Sequence, residues 1–283
     1  MTIIFTDSKP PISPVATTAT SSSKHGFGSK QQLETPPASP NIPGQLSLIY
    51  KKFNIQVEQS SLMPQPSKIK HGKPFSWCDI EYITNSNQLE IFARSQEQTS
   101  EYHSFKQMLK DRNISINEYI LKHELQWNSV DLRCQKQVVP QEYSISYPQD
   151  LIFFNRDDIK ILFNKFPYYF DTNIVHLCIW SKLKIPNDVN SLVGDISKLT
   201  RKIINRYLEK LFTKRGISMD QVKWFKNWTS LQSVRSISHI HVIIRDVDRE
   251  VVLELVSNEE MDTLDLEDYK QLLEEPETRG AEH

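Results

Sequence analysis

The first half of the sequence shows apolar residues at helical spacing. A helix entry is predicted near Asp79, whose charge suits the positive end of a helix dipole. Two more helices are predicted over residues 97–110 and 115–127, where apolar side chains recur every three or four positions. The last of these begins with the spacing of a capping box. The pattern therefore predicts a small helical layer over residues 75–130, with no chemistry of its own.

The pattern changes over residues 150–257, where short apolar runs are rich in β-branched and aromatic side chains. Strands are predicted over residues 174–182, 222–228 and 239–244. A long helix with one apolar stripe is predicted over residues 194–213. The fold class is therefore α+β: an N-terminal helical layer, then a mostly antiparallel sheet with a long packed helix.

Both ends of the chain differ in composition from this central part. Residues 1–45 are rich in proline, serine and threonine, which predicts a disordered tail. Residues 258–283 hold ten acidic side chains against two basic ones. That excess predicts a solvated acidic tail with one amphipathic turn around residues 269–273. A single α+β domain is expected between the tails, over residues 46–257.

Composition excludes several classes of protein. The chain of 283 residues has 34 basic and 35 acidic side chains and a net charge of -1. That balance argues against a nucleic-acid binder, which is usually basic. The three cysteines lack the spacing of a disulfide or zinc framework, which favours a reducing, cytoplasmic location. No apolar run approaches the roughly 20 residues that cross a bilayer, so no membrane partner is expected.

The segment 224–245 contains the clearest candidate chemistry. In a strand, His239 and His241 lie on one face, while Ile240 and Val242 lie on the other, in the core. The two imidazoles are then about 7 Å apart at their backbones. Such a pair is able to bind a metal, to handle phosphate, or to form a hydrogen-bonded polar layer.

A metal site needs at least a third ligand. Asp246 is the nearest carboxylate, but its odd spacing from His241 turns it to the opposite face. We therefore predict no metal and no other cofactor. A purely structural pair, hydrogen-bonded to Ser236, Ser238 or Asn227, remains open.

The phosphate alternative rests on a resemblance. The run from Ser236 through His239 to His241 resembles the Ser-x-x-His-x-His of the galactose-1-phosphate uridylyltransferase branch of the histidine-triad superfamily. That resemblance implies a histidine-triad-like fold, with His241 as the nucleophile and His239 positioning or protonating. The third histidine of the triad is absent, because Ile243 stands in its place.

Further segments resemble the same superfamily. Gln232 and Ser233 match a phosphate-binding Gln-Ser-Val, although the histidines follow three residues later than in that family. His176 and Lys182 match a histidine-to-lysine strand segment. Six residues are therefore predicted to bind the ligand: His176, Lys182, Asn227, Gln232, Ser233 and Ser236.

A closer resemblance covers roughly residues 75–256. The run Trp-Phe-Lys-Asn-Trp-Thr-Ser-Leu-Gln-Ser-Val-Arg, followed by His-x-His-Val, resembles the signature of a fungal family of unknown molecular function, typified by N-acetylglucosamine-induced protein 1. Residues 161–168 and 174–182 fit that family as well. One departure is Asn164 to Tyr169, Asn-Lys-Phe-Pro-Tyr-Tyr, where the family usually shows Asn-Asp-x-Pro-Tyr-Gly. The resemblance implies a cytosolic protein whose expression follows amino-sugar supply.

Two functions compete on these grounds. In one, the chain processes a sugar nucleotide or sugar phosphate at the His-x-His strand, as a nucleotidyltransferase or phosphoester hydrolase. In the other, the same pocket belongs to a non-catalytic binding or regulatory module. The missing triad histidine favours the second function. Protein partners are not indicated, although an adaptor acting through the acidic tail is a third alternative.

Overall fold

The computed structural model describes residues 43–59, 66–132 and 143–274, so all but the last three residues of the predicted tail over residues 1–45 lie outside the described residues, and those three begin a helix. The described helices are α1 (Pro43–Lys52), α2 (Trp77–Asn85), α3 (Gln96–Asp111), α4 (Ile116–Tyr119, continued by a π-helical turn Ile120–Leu125), α5 (Lys198–Thr213), α6 (Arg249–Ser257) and α7 (Leu266–Glu274). The strands are β1 (Ile55–Glu58), β2 (Ser67–Lys70), β3 (Ile159–Phe163), β4 (Ile174–Ser181), β5 (Val222–Phe225) and β6 (Ser238–Arg245). None of these helices combines the length and the apolar character needed to span a membrane.

A four-stranded antiparallel sheet lies at the centre, in the order β3-β4-β6-β5. Its two long strands, β4 and β6, pair along their whole length, and Cys178 lies directly opposite His241. A separate antiparallel hairpin, β1-β2, was not predicted from the sequence. The mixture of helices with antiparallel sheets confirms the predicted α+β class.

One face of the sheet, which we call the helix-covered face, packs against α5, α6 and α7. Helix α5 begins where the Ser197 hydroxyl accepts a hydrogen bond from the Thr200 amide, four residues later than predicted. Ile203, Tyr207 and Leu211 then recur every four residues and are fully buried. They contact aliphatic side chains of β4 and β6, including Ile240. This face therefore forms an apolar core.

Helices α2, α3 and α4 form the predicted helical layer on the other side of the sheet. Asp79 lies in the first turn of α2, where its carboxylate completes a capping box with Ser76. Helix α3 covers the predicted range and has a capping box of its own. Ser115 caps α4 as predicted, but the helix widens into a π-helical turn at Ile120.

The acidic segment after residue 257 is not a solvated tail over its described part. Tyr269 on α7 is fully buried, and its hydroxyl donates a hydrogen bond of 2.5 Å to the Ile152 carbonyl. On the outer side of α7, Asp268 pairs with Lys210 of α5 at 2.7 Å. The prediction of a solvated tail was wrong for residues 258–274, where the amphipathic turn predicted at residues 269–273 belongs to a longer helix, Leu266–Glu274, with one buried stripe. Residues 275–283 lie outside the described part of the chain.

The side chain of Asn258 forms hydrogen bonds with the backbone of the edge strand β3. Asn258, which ends α6 in a left-handed backbone conformation, accepts a 2.7 Å hydrogen bond from the Ile161 amide. Its amide nitrogen donates to the Ile161 carbonyl at 3.0 Å. Both backbone groups of Ile161 are therefore paired on the side of β3 where the described residues add no further strand.

Candidate functional site

The second face of the sheet carries three side chains that can ligate metals. His176 and Cys178 alternate on β4, and His241 faces them from β6. His176 Nε2 lies 3.0 Å from His241 Nδ1, and Cys178 Sγ lies 3.6 Å from the same nitrogen. We call this surface, with Trp180 and His239, the histidine face.

Aromatic rings and amides enclose this cluster. Phe225 stacks on the His241 ring with centroids 4.8 Å apart, and Tyr168 stacks on His176 at 5.6 Å. The Asn227 amide nitrogen lies 3.1 Å from His241 Nε2. Both ring nitrogens of His241 therefore have neighbours in the protein.

His239 has a different environment from His241. Its Nδ1 lies 2.9 Å from the Ile237 carbonyl, which only accepts hydrogen bonds, so the ring proton belongs on Nδ1. Its ring stacks on Trp180 with centroids 4.3 Å apart. The lone pair on Nε2 therefore remains available as a hydrogen-bond acceptor.

Burial keeps all three histidines neutral. It lowers the pKa of His176 to about 3, with a smaller contribution from the Arg94 charge. It lowers the pKa of His239 to about 4, although the bond to the Ile237 carbonyl acts in the opposite direction. Burial, with His176 and His239 nearby, also places the pKa of His241 well below its usual value. Burial raises the pKa of the Cys178 thiol to about 12.

A cavity of about 180 Å³ lies between the histidine face and the helical layer. Cys178, Trp180, His239 and His241 form its floor, while side chains of α3 and α4 form the opposite wall. The wall combines aromatic rings with a few polar groups, which is typical of small-molecule sites. The other residues that contribute to the lining are Arg94, Tyr102, Phe105, Ile116, Ile120, Glu124, Leu162, Phe163, Asn164, Lys165, Phe166, Tyr168, Asn227, Leu231, Ser233 and Val234.

Arg94 contributes a guanidinium to the lining of this cavity. Its Nε donates a 3.0 Å hydrogen bond to the Phe166 carbonyl. Its guanidinium lies 4.6 Å from the ring of Tyr102 and 5.4 Å from the ring of Tyr168. Within the part of the chain that the structure describes, no carboxylate pairs with Arg94. Lys165, by contrast, is paired with Glu124 at 2.6 Å.

The structure brings together part of the predicted site. Asn227, Ser233, His239 and His241 line the cavity, and His176 contacts His241 from below. The three other predicted ligand-binding residues are not among the lining residues. Gln232 donates to the Asn227 carbonyl, Lys182 lies over the Trp127 ring, and Ser236 stands outside the lining.

Sequence reasoning missed Arg94, Cys178 and the contribution of the helical layer. The helices were expected to carry no chemistry, whereas α3 and α4 supply a wall of the cavity. The count of metal ligands was also incomplete, because His176 and Cys178 reach His241 from a strand more than 60 residues earlier. The available signal was His176 and Cys178 alternating on a predicted strand, in the same way as His239 and His241.

The matched family covers the strands and helices that build this site. Residues 76–245 match the family described as "Protein of unknown function (DUF3605)". The chain belongs to the DUF3605 family. The match begins at the cap of α2 and ends with β6, so it includes the whole histidine face and both walls of the cavity.

Relatives of this DUF3605 chain occur in two yeasts. It is 61% identical to N-acetylglucosamine-induced protein 1 of Candida albicans over 243 residues, which is 85% of this chain and 94% of that protein. It is 30% identical to an uncharacterized protein of Saccharomyces cerevisiae over 176 residues, 62% of this chain and 81% of that protein. The crystal structure of HTC1 is similar, with a TM-score of 0.54 at 26% identity, covering 68% of this chain and all of that chain.

These matches confirm the predicted fungal family of unknown function. The histidine-triad resemblance stays a prediction, as do the roles assigned to the site residues.

Proposed function

We propose that this DUF3605 chain is a binding module for a monosaccharide-sized phosphate, which it holds without turnover in the cavity above the histidine face. The observation that carries the proposal is Arg94. A guanidinium that lines a cavity, is fixed by aromatic rings and pairs with no described carboxylate is suited to an anionic group. Arginine binds phosphate through two parallel hydrogen bonds, which favours it over lysine for this purpose.

The remaining walls suit a sugar ring. Tyr102, Phe166 and Trp180 present aromatic surface to the cavity. The negative face of an aromatic ring attracts the weakly positive C–H groups of a sugar. Ser233 and His239 Nε2 supply hydrogen-bond partners for hydroxyl groups.

The size of the cavity narrows the ligand class. Sites for drug-sized ligands usually measure about 300–1,000 Å³. A cavity of about 180 Å³ accommodates a single sugar ring with its phosphate better than a sugar nucleotide. The name of the Candida albicans relative, an N-acetylglucosamine-induced protein, makes an amino-sugar phosphate the first candidate.

Binding without turnover is favoured by the surroundings of His241. A histidine nucleophile needs a nitrogen lone pair directed at the substrate. His176 lies at one ring nitrogen of His241 and Asn227 at the other. The second candidate function is phosphoester chemistry, and the free Nε2 favours His239 over His241 as its nucleophile.

The test is a thermal-shift and calorimetric comparison of the full chain with N-acetylglucosamine 6-phosphate, N-acetylglucosamine, inorganic phosphate and UDP-N-acetylglucosamine. We expect the sugar phosphate to bind most tightly. At about 100 times its dissociation constant it should stabilise the fold by about 2.7 kcal/mol, which raises the melting temperature by several degrees.

Arg94→Gln should abolish that shift, while Arg112→Gln should retain it, because Arg112 is exposed at the end of α3. An equal shift in both variants, or no shift with any phosphate, contradicts the proposal. Release of phosphate or of a nucleotide by the wild-type chain, lost in His239→Ala, would establish the second candidate instead.

A further inference from the structure

We propose that His176, Cys178 and His241 form a binding site for a divalent ion of the zinc type, on the floor of the cavity. All three ligand atoms lie within 4.8 Å of one another. Two imidazole nitrogens and one thiolate sulfur are ligands that select zinc over magnesium or calcium. This inference concerns the cluster alone and does not require the proposed binding of a sugar phosphate.

Two of the three distances between the ligand atoms are close to those of tetrahedral coordination, and the third, between His176 and Cys178, is at most 4.8 Å and has to close to about 3.6 Å. Zinc binds nitrogen at about 2.0–2.1 Å and sulfur at about 2.3 Å, so a tetrahedral site separates the two kinds of ligand by about 3.6 Å. Cys178 Sγ and His241 Nδ1 lie 3.6 Å apart. The two nitrogens, now 3.0 Å apart, need to separate by only a few tenths of an ångström to admit the ion.

The sheet itself fixes this arrangement. Cys178 and His241 are directly paired across β4 and β6, and His176 follows two residues along the same face of β4. Each of the three side chains is at least nine-tenths buried. Ligands on paired strands are held more precisely than ligands on loops, so little conformational entropy is lost when the ion binds.

Asn227 provides the outer hydrogen bond that metal-binding histidines usually make. Its Oδ1 is buried and has no hydrogen-bond partner among the described residues, while its Nδ2 lies 3.1 Å from His241 Nε2. A half-turn of the Asn227 amide about its terminal bond exchanges the positions of its acceptor oxygen and its donor nitrogen. After the exchange, Oδ1 accepts a proton from Nε2, which leaves the Nδ1 lone pair of His241 free to bind an ion between His176 and Cys178.

The cavity supplies both an entrance and a fourth coordination position. Cys178 and His241 line it, so an ion that enters through the cavity reaches the ligands directly. Binding releases the thiol proton to solvent and forms a Zn–S bond, leaving one net positive charge on the cluster. Three protein ligands with an open fourth position can also accept water or an anion from the cavity.

The test uses the full chain, stripped with a chelator and titrated with Co²⁺ and then Zn²⁺. We expect one ion per chain, with the visible absorption of tetrahedral cobalt and a near-ultraviolet thiolate-to-cobalt band, both removed when zinc displaces cobalt. Cys178→Ser should lose the thiolate band and bind at least about 100-fold more weakly. Asn227→Ala should weaken binding by about 10–100-fold, as is usual when a ligand loses its outer partner.

The matched control removes the two other cysteines of the chain. The chain has three cysteines, so the double variant Cys78→Ser, Cys134→Ser leaves Cys178 as the single thiol. Retention of the thiolate band in that variant supports the proposal even if Cys178→Ser fails to fold. Three results would overturn the proposal. They are loss of the thiolate band in the double variant, an unchanged spectrum in a folded Cys178→Ser, and no cobalt binding by the wild type. Arg94→Gln should still bind cobalt, at least as tightly as the wild type because a positive charge near His176 and His241 is removed, while losing the shift with sugar phosphate, which separates this test from that of the proposed function.

Discussion

The two faces of the central sheet have opposite chemistry, although they belong to the same strands. Ile240 and Val242 on β6 are fully buried against aliphatic side chains of α5. His239 and His241, which alternate with them, are also buried, but they lie against a thiol, amides and a cavity. Apolar burial supplies most of the favourable free energy of folding, whereas buried polar groups contribute little net stability.

The helix-covered face is mainly apolar, whereas the histidine face sets a buried polar cluster among apolar side chains such as Phe225 and Ile243. A buried polar cluster that adds little stability is consistent with the proposed ligand and metal sites. Changes on the helix-covered face should therefore affect unfolding most, and changes on the histidine face should affect binding and the response to acid.

The largest effect is expected at the contact between α7 and the core. Tyr269→Ala removes a fully buried ring and its hydrogen bond to Ile152. Denaturant titration should show a loss of about 3–5 kcal/mol in the free energy of unfolding. Tyr269→Phe, which keeps the ring, should lose only about 1 kcal/mol. A loss below 1 kcal/mol in the alanine variant would mean that α7 is not part of the core.

An intermediate effect on the stability of the metal-free protein is expected when the pH is lowered, because the histidine face contains buried neutral histidines. Burial holds the pKa of His239 at about 4, so the folded state stays neutral while the unfolded histidine binds a proton below about pH 6.5. This contribution to stability is complete above pH 6.5 and is lost as the pH falls toward 4.

The matched variant for that effect is His239→Leu. Over the same window, the wild type should lose about 1.4 kcal/mol per pH unit more than the variant, measured by urea unfolding at several pH values. Parallel curves for the two proteins would show that His239 is not buried in its neutral form.

The smallest effect is expected from Lys226, whose charge helps to lower the pKa of His239. Lys226 is itself buried and donates a 2.8 Å hydrogen bond to Asn187. Lys226→Met should raise the pKa of His239, which NMR titration of the imidazole can measure. A lowered pKa would contradict the electrostatic argument.

The sequence was sufficient to predict much of the secondary structure. The alternation in β6 identified its two faces, and the apolar stripe of α5 identified its buried side. These predictions succeed because the spacing of apolar residues reflects which side of a helix or strand is buried. The hairpin β1-β2 was missed because four-residue strands carry too little of that pattern.

The candidate site was only partly predictable because it depends on pairing between distant strands. The register that sets Cys178 opposite His241 cannot be read from either strand alone. Arg94 follows a short turn that ends far from β6 in sequence, and nothing in its neighbours indicates a cavity. Individual residues were therefore identified more readily than the contacts that join them.

Asn258 has a consequence for the behaviour of the protein at high concentration. An open edge of a β-sheet can recruit a strand from another molecule, which is a common start of aggregation. Because Asn258 occupies both backbone groups of Ile161, an incoming strand finds no partner at the centre of β3. One side chain at the end of a helix thus protects the exposed border of the sheet against intermolecular growth.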